Sequence, residues 1–272
     1  MVSNPQPDYL TLAQPAFANG QRVWVIQTTV GSTTADAAHP YGGNNVGLHV
    51  KDEPTSVHHH RTRLLNTLNT QAGINRISWL NQVHGANVVQ INAILSTTAP
   101  DADAQFTTLP KTALAIMTAD CVPIVLTNAD GRQIGAIHAG WQGLAKHVIA
   151  STVHAMTQAQ SDADTSQWQA WIGACIAAKH YEVDHRVRDA LAATVQPSDS
   201  IDDYLRPNPH KHGHYWADLA RLAHAQLAAC GITQVNISGL DSFGDTRFYS
   251  YRRQTQQGLA ATGRMATLIA II

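Results

Sequence analysis

The sequence predicts an α/β protein, a single domain with a mixed β-sheet flanked by helices, and three observations lead there. Short apolar runs alternate with segments whose apolar residues recur every three or four positions, so strands and helices interleave. Several successive strands have no helix between them, which disfavours a purely parallel sheet. No internal repeat or linker interrupts the 272 residues, a length compatible with one domain. Residues 1–20, Pro- and Gln-rich without period, read as an N-terminal arm that is mobile or covers a sheet edge, and 21–272 as the domain itself.

Arg22 to Thr29 reads as the first strand. Gly31 to Gly47, crowded with Gly, Asn, Ser and Thr, reads as a long loop of the kind that carries binding residues. Pro54 precedes Val57, Leu64, Leu65 and Leu68 at helical spacing, and Gly73 closes that helix. The adjacent His58, His59 and His60 on it point about 100° apart and cannot share one metal, so they read as a solvated face. Strand-like runs follow at 77–80, 87–92, 113–119, 123–127 and 133–139, with a turn at Asn128-Ala129-Asp130-Gly131-Arg132. Beyond Gly140, the spacing of Leu144, Val148, Ile149, Val153 and Met156 predicts a helix, which puts His138 beside a strand-to-helix junction. The remainder reads as strand 168–172, helices 183–195 and 216–230, strand 234–238 and a final strand 265–272.

Eighteen Lys and Arg against 19 Asp and Glu give a net charge of −1, without the broad field that gathers nucleic acid or anionic membrane. A small-molecule substrate is the default. Met1 to Asp8 lacks a basic start and an apolar core, and no segment offers about 18 uninterrupted apolar residues, so the chain reads as cytoplasmic. Three cysteines are an odd, sparse set and read as reduced thiols, with Cys175 and Cys230 as core residues.

Three polar residues stand at the ends of apolar runs: His84 in Asn81-Gln82-Val83-His84-Gly85, Cys121 in Thr118-Ala119-Asp120-Cys121, and His138 in Ala136-Ile137-His138-Ala139-Gly140-Trp141. Two imidazoles and a thiolate suit zinc, and three protein ligands leave the fourth tetrahedral position open, as in catalytic sites. They lie 37 and 17 residues apart, so only tertiary structure can assemble them. Buried cysteines are ordinarily small apolar core residues, and strand-end histidines are ordinarily satisfied polar groups, so spacing alone is a weak signal. Cys121 with His138 also suits a thiolate-imidazolium nucleophile, which excludes metal ligation by the same sulfur.

Strand alternation puts Gln82 on the face of His84 and turns Asp120 away from Cys121, where its carboxylate is left to orient a ligand histidine. His210, His212 and His214 alternate as well, but Pro207, Pro209 and Gly213 mark an exposed loop. Gln82, Asp120, the loop residue Asn45 and the pair Arg252 and Arg253 read as substrate contacts, the arginines because guanidiniums bind phosphate in bidentate fashion.

In order, Asn45-Val46-Gly47-Leu48-His49, Asn81-Gln82-Val83-His84-Gly85, Ala102-Asp103-Ala104, Met117-Thr118-Ala119-Asp120-Cys121-Val122-Pro123, His138-Ala139-Gly140-Trp141, Tyr181-Glu182-Val183, Tyr249-Ser250-Tyr251-Arg252-Arg253 and Thr262-Gly263-Arg264-Met265-Ala266 span nearly the whole chain. With these phrases it resembles the YfiH-type proteins, also called multicopper polyphenol oxidoreductase (laccase-like) proteins or zinc-dependent purine nucleoside phosphorylases. The resemblance implies the YfiH fold, similar to that of the cytotoxic-necrotizing-factor-like Cys hydrolases, and zinc held by His84, Cys121 and His138. It also implies phosphorolysis of adenosine, inosine and methylthioadenosine, and deamination of adenosine. The expected partners are purine nucleoside and phosphate, with the protein a monomer. Rival readings are a Cys/His hydrolase or amidase acting on peptidoglycan precursors, a copper laccase, and a non-enzymatic metal-binding protein. The chain departs from the family at Gln142, where Arg is usual, at Gly173-Ala174-Cys175-Ile176, and around Asp241-Ser242-Phe243, which puts substrate contacts in question.

Overall fold

In the computed structural model, which describes residues 7–93, 98–160, 164–259 and 261–272, the strands in chain order begin with β1 (Tyr9–Ala13), β2 (Val23–Thr28), β3 (Arg76–Ser78), β4 (Val88–Gln90), β5 (Ala104–Thr107), β6 (Thr112–Thr118) and β7 (Val122–Thr127). They continue with β8 (Ile134–Ala139), β9 (Gln169–Ile172), β10 (Glu182–Asp184), β11 (Leu205–Pro207), β12 (His214–Ala217), β13 (Gln234–Ile237) and β14 (Met265–Ile271). The helices are α1 (Pro54–Ala72), α2 (Trp141–Ala145), α3 (Val148–Ala159), α4 (His185–Ala192), α5 (Leu219–Ala229) and α6 (Tyr251–Gln256).

The α/β class and the mixed pairing are as expected, but the strands divide between two main sheets rather than filling one. A five-stranded sheet runs β1-β2-β14-β6-β3, and a six-stranded sheet runs β13-β9-β7-β8-β5-β4. Each carries parallel and antiparallel pairs. The reason lies in the central strands, which are buried at every position and must be covered on both faces. Side chains alternate between the faces. Val25, Ile116 and Ile269 meet Val125, Ala136 and Trp171 between the sheets, while Ile26, Ala115 and Leu268 pack under Leu64 and Leu68 of α1. On the far side, Ile124, Leu126 and Ile137 pack against Val148, Val153 and Met156 of α3 and Leu222 of α5. The result is four layers, helix, sheet, sheet and helices.

Helix α1 matches expectation, with Pro54 in its first turn and Gly73 left-handed at φ 66°, donating its N–H to Asn69 O. The helix expected after Gly140 is broken between α2 and α3, where His147 is left-handed. The segments expected as helices 183–195 and 216–230 begin as strands instead. Asp184 and Asp218 cap α4 and α5 through backbone N–H groups of the first turn, and β10 and β12 precede them in a small antiparallel sheet, β10-β12-β11. Residues 9–13 of the expected arm form edge strand β1, and residues 1–6 lie outside the described residues. Among the described residues no helix is long and apolar enough to cross a membrane.

Buried glutamines tie the two sheets together: Gln105 of β5 donates to Ser78 O of β3 and Ala115 O of β6, and Gln27 works from the other side. Gln27 of β2 is fully buried; its Oε1 accepts from Ala174 N, just beyond β9, and from Thr267 Oγ1 of β14. We expect Gln27→Ala to cost about 1–3 kcal/mol by leaving these donors unpaired, measured as a lower urea midpoint with an unchanged slope.

Candidate metal centre and active site

His84, Cys121 and His138 converge: their ligand atoms all lie within 4.8 Å of one another, and among the described residues no other such group of three occurs. Three pieces of local structure bring this about. Strand β8 lies between β5 and β7, with Pro123 opposite His138 and the His138 N–H on Asp103 O at 2.7 Å. Cys121 therefore enters the row from one neighbouring strand and Asp103 from the other. His138 continues the face of Ile134 and Ala136, so the centre lies at one end of the space between the sheets.

His84 arrives differently. Strand β3 ends at Ser78, and His84 is left-handed at φ 58°, in a turn rather than the expected strand. The carboxylate that fixes this turn is Asp103, wholly buried, which accepts the N–H groups of Val83 (3.2 Å), His84 (3.0 Å) and Gly85 (2.6 Å). Its Oδ1 also accepts from His138 Nδ1 at 2.8 Å. A carboxylate only accepts, so Nδ1 carries the proton and Nε2 is the free ligand atom. Lys146 Nζ closes the turn on His84 O at 2.8 Å.

The role expected for Asp120 thus belongs to Asp103. Strand β6 has ended at Thr118, and Asp120 sits at φ 97° with one oxygen on Ser242 Oγ and the other on the Arg252 N–H, both at 2.7 Å. It joins the start of α6 to the strand end. Gly140 faces the thiol so closely that a Cβ there would stand 3.0 Å from Cys121 Sγ.

A cavity of about 600 Å³ opens over the centre, and its lining includes Gln82, Trp141, Gln142, Tyr181, Arg252 and Arg264. Gln82 reaches it with its amide locked onto Met117 N and O. Arg252 stands on Tyr181, 5.1 Å from the ring centroid, and donates to Glu182 O. Arg253 is not brought to the cavity: its guanidinium is spent on the carbonyls of Ser242, Phe243 and Phe248. Asn45 also stays out of the lining, accepting instead from the Gly47 and Arg264 N–H groups. Of the alternating histidines, His214 meets Glu182 at 2.9 Å. Cys175 is buried, and its thiol is pushed up to about 12 by burial and nearby carboxylates.

A family described as multi-copper polyphenol oxidoreductase laccase matches residues 26–272. The chain belongs to this family. Among relatives of this laccase-like family member, a Pseudomonas aeruginosa protein named purine nucleoside phosphorylase is 36% identical over 96% of the chain and 97% of its own length. Purine nucleoside phosphorylase YfiH of Escherichia coli is 33% identical over 86% and 88%. Two crystal structures are similar throughout: a Neisseria meningitidis protein (32% identity, TM-score 0.79, 97% of this chain and 99% of that one) and YlmD of Geobacillus stearothermophilus (28%, 0.83, 99% and 98%).

Asp103 and sequence reasoning parted company because an acid between two alanines carries no spacing signal; its phrase stood out only through the resemblance. Arg264 and His49, also in the cavity lining, lay in matching phrases for the same reason. In this laccase-like protein, burial alone would raise the Cys121 thiol, but the His138 charge and hydrogen bonds from both histidines bring it down to about 6. Burial opposes charge on His138 in turn, and the thiolate and Asp103 outweigh it, holding the imidazole up at about 9.

Two outcomes follow. Asp103→Asn should weaken metal binding about 10–100-fold, read by competition with a chromophoric chelator. In metal-free protein Cys121 should alkylate readily at pH 7, with the rate falling as pH drops through about 6 because the thiolate is lost there.

Proposed function

We propose that this chain is a zinc-dependent purine nucleoside phosphorylase acting on adenosine, inosine and methylthioadenosine, with adenosine deamination as a second reaction of the same centre. The observation that carries the reading is the His84-Cys121-His138 cluster at the wall of a cavity that also presents aromatic rings and guanidiniums. The names of the Pseudomonas and Escherichia relatives support it. Two imidazoles and a thiolate fit zinc: ligand atoms about 3.5 Å apart satisfy a tetrahedral site with bonds of about 2.0–2.3 Å, so the cluster needs only a small contraction. The family description names copper, and a His₂Cys set also suits that metal. Laccase chemistry, however, calls for several copper sites, and the described residues offer one cluster.

When bound, zinc supplies Lewis-acid polarisation at its open position. The chain does the rest. In phosphorolysis a phosphate oxygen bonds to ribose C1′ as the C1′–N9 bond breaks; the electron pair leaves with the purine, and the proton of hydrogen phosphate ends on a purine nitrogen. Trp141, Tyr181 and Tyr251 offer flat apolar surfaces for the base, and Arg252 faces the same cavity as a cation for the phosphate. In deamination, water adds at the purine carbon and ammonia leaves. We place the enzyme in the cytoplasm as a monomer.

A specific observation favours a second reading. His138 stands between Cys121 and a buried carboxylate, with Nδ1 on Asp103, which is the order of a nucleophile, base and orienting acid. Cys121→Ser separates the two: loss of zinc and activity together supports the zinc enzyme, whereas retained zinc with lost activity supports a Cys/His hydrolase or amidase.

The direct test is chromatography of products from adenosine and inosine with zinc-loaded protein, with and without phosphate. We expect phosphate-dependent adenine or hypoxanthine that falls at least 100-fold in His138→Ala, and inosine from adenosine without phosphate. No turnover under either condition would sink the nucleoside reading. Gln142 lines the cavity, and Gln142→Arg is expected to lower the KM for phosphate several-fold by adding a cation.

A further inference from the structure

Arg264 is the second guanidinium of the cavity, and its setting differs from that of an ordinary arginine. Its backbone is held from both directions by the loop expected to bind ligands: Arg264 N donates to Asn45 Oδ1 at 2.8 Å, and Val46 N donates to Arg264 O at 3.0 Å. Its aliphatic stem lies flat against Gly47, where a Cβ would stand 2.7 Å from Arg264 Cγ. Nη1 is fixed by the carbonyls of Thr262 (2.9 Å) and Gly263 (3.0 Å). Backbone and one end of the fork are thus immobilised before any ligand arrives.

What the guanidinium lacks is a counter-ion. Arg63, Arg132, Arg186, Arg188 and Arg247 form ion pairs with carboxylates, but Arg264 and Arg252 do not among the described residues. Both use carbonyls for orientation. Asp120 is the one carboxylate among the described residues lining the cavity, and its two oxygens are taken by Ser242 Oγ and the Arg252 N–H. Burial works against the charge of Arg264, which is therefore costly unless an anion meets it, and the charges that favour it are those of Cys121 and Asp120. Arg264 lines the same cavity as His84, Cys121 and His138, so an anion held by it stands beside the reacting centre.

We propose that Arg264, with Arg252 across the same cavity, forms a phosphate subsite beside the His84-Cys121-His138 cluster, and that its occupant is inorganic phosphate. This deepens the phosphorylase reading and rests on it for the identity of the occupant. A phosphate group on the substrate itself, the 5′-phosphate of a nucleotide, would satisfy the same chemistry. Asn45 and Gly47 then act as positioning residues, which accounts for a loop whose own side chains stay out of the cavity.

The test uses the full-length zinc-loaded protein with Arg264→Gln and Arg264→Lys, each checked for zinc content and thermal melting. Inorganic phosphate, adenosine and adenosine monophosphate are titrated separately by calorimetry, and steady-state KM values are measured for phosphate and for nucleoside. The expected result is a rise of about tenfold or more in the phosphate Kd and KM of Arg264→Gln, from loss of a charged hydrogen bond. Adenosine affinity should hold within about twofold, and Arg264→Lys should recover part of the loss. Unchanged phosphate binding in both variants would overturn the inference and leave the phosphorylase reading standing. Phosphate binding that depends on Arg264 in a protein without phosphorolytic turnover would support the subsite while removing that reading. Loss confined to adenosine monophosphate would overturn inorganic phosphate as the occupant.

Discussion

The carboxylate of Asp103 is the constraint on which the site depends. It lies buried between the sheets and accepts four N–H groups, three from the turn carrying His84 and one from the ring of His138. Burial would otherwise favour its neutral form, and those donors hold it below the usual carboxylate range, so it remains an anion. One charge thereby sets two things: the left-handed turn that aims one imidazole, and the tautomer of the other. A neutral side chain of the same shape would leave at least one of these donors unanswered in a place without water.

The sheet pairing explains why that carboxylate is in reach. With β8 between β5 and β7, Asp103, His138 and Cys121 come from three adjacent strand ends. Two candidate ligands and the carboxylate that fixes the turn of the third are thus drawn from a rigid ladder, which places them more accurately than loops would. The price of closeness appears at Gly140, where a Cβ would press to 3.0 Å from the thiol. Gln27 performs the matching task on the layer interface, holding the five-stranded sheet to the end of β9.

Charge is distributed with the same economy. Several arginines on the outside of the molecule, Arg132 and Arg186 among them, meet aspartates, whereas the two in the cavity are oriented by carbonyls and form no ion pair among the described residues. Arg253, next in sequence to one of them, is turned inward to bind the Ser242–Phe248 loop. Two adjacent arginines on a helix point about 100° apart, so they could not both serve the cavity.

Periodicity alone determined the α/β class, the helix between Pro54 and Gly73, and the buried strands around Ile116, Val125 and Ile269, because burial on one or both faces imprints itself on successive residues. The chemistry of His84, Cys121 and His138 was legible as donor types at strand ends. Their convergence was not, since it depends on which strands pair, and pairing is a property of the whole chain. Asp103, Arg264 and the division into two sheets were likewise settled only in three dimensions. An aspartate between alanines, or an arginine after a glycine, carries no local sign of what it will face; its meaning is set by the partners that packing brings within about 3 Å.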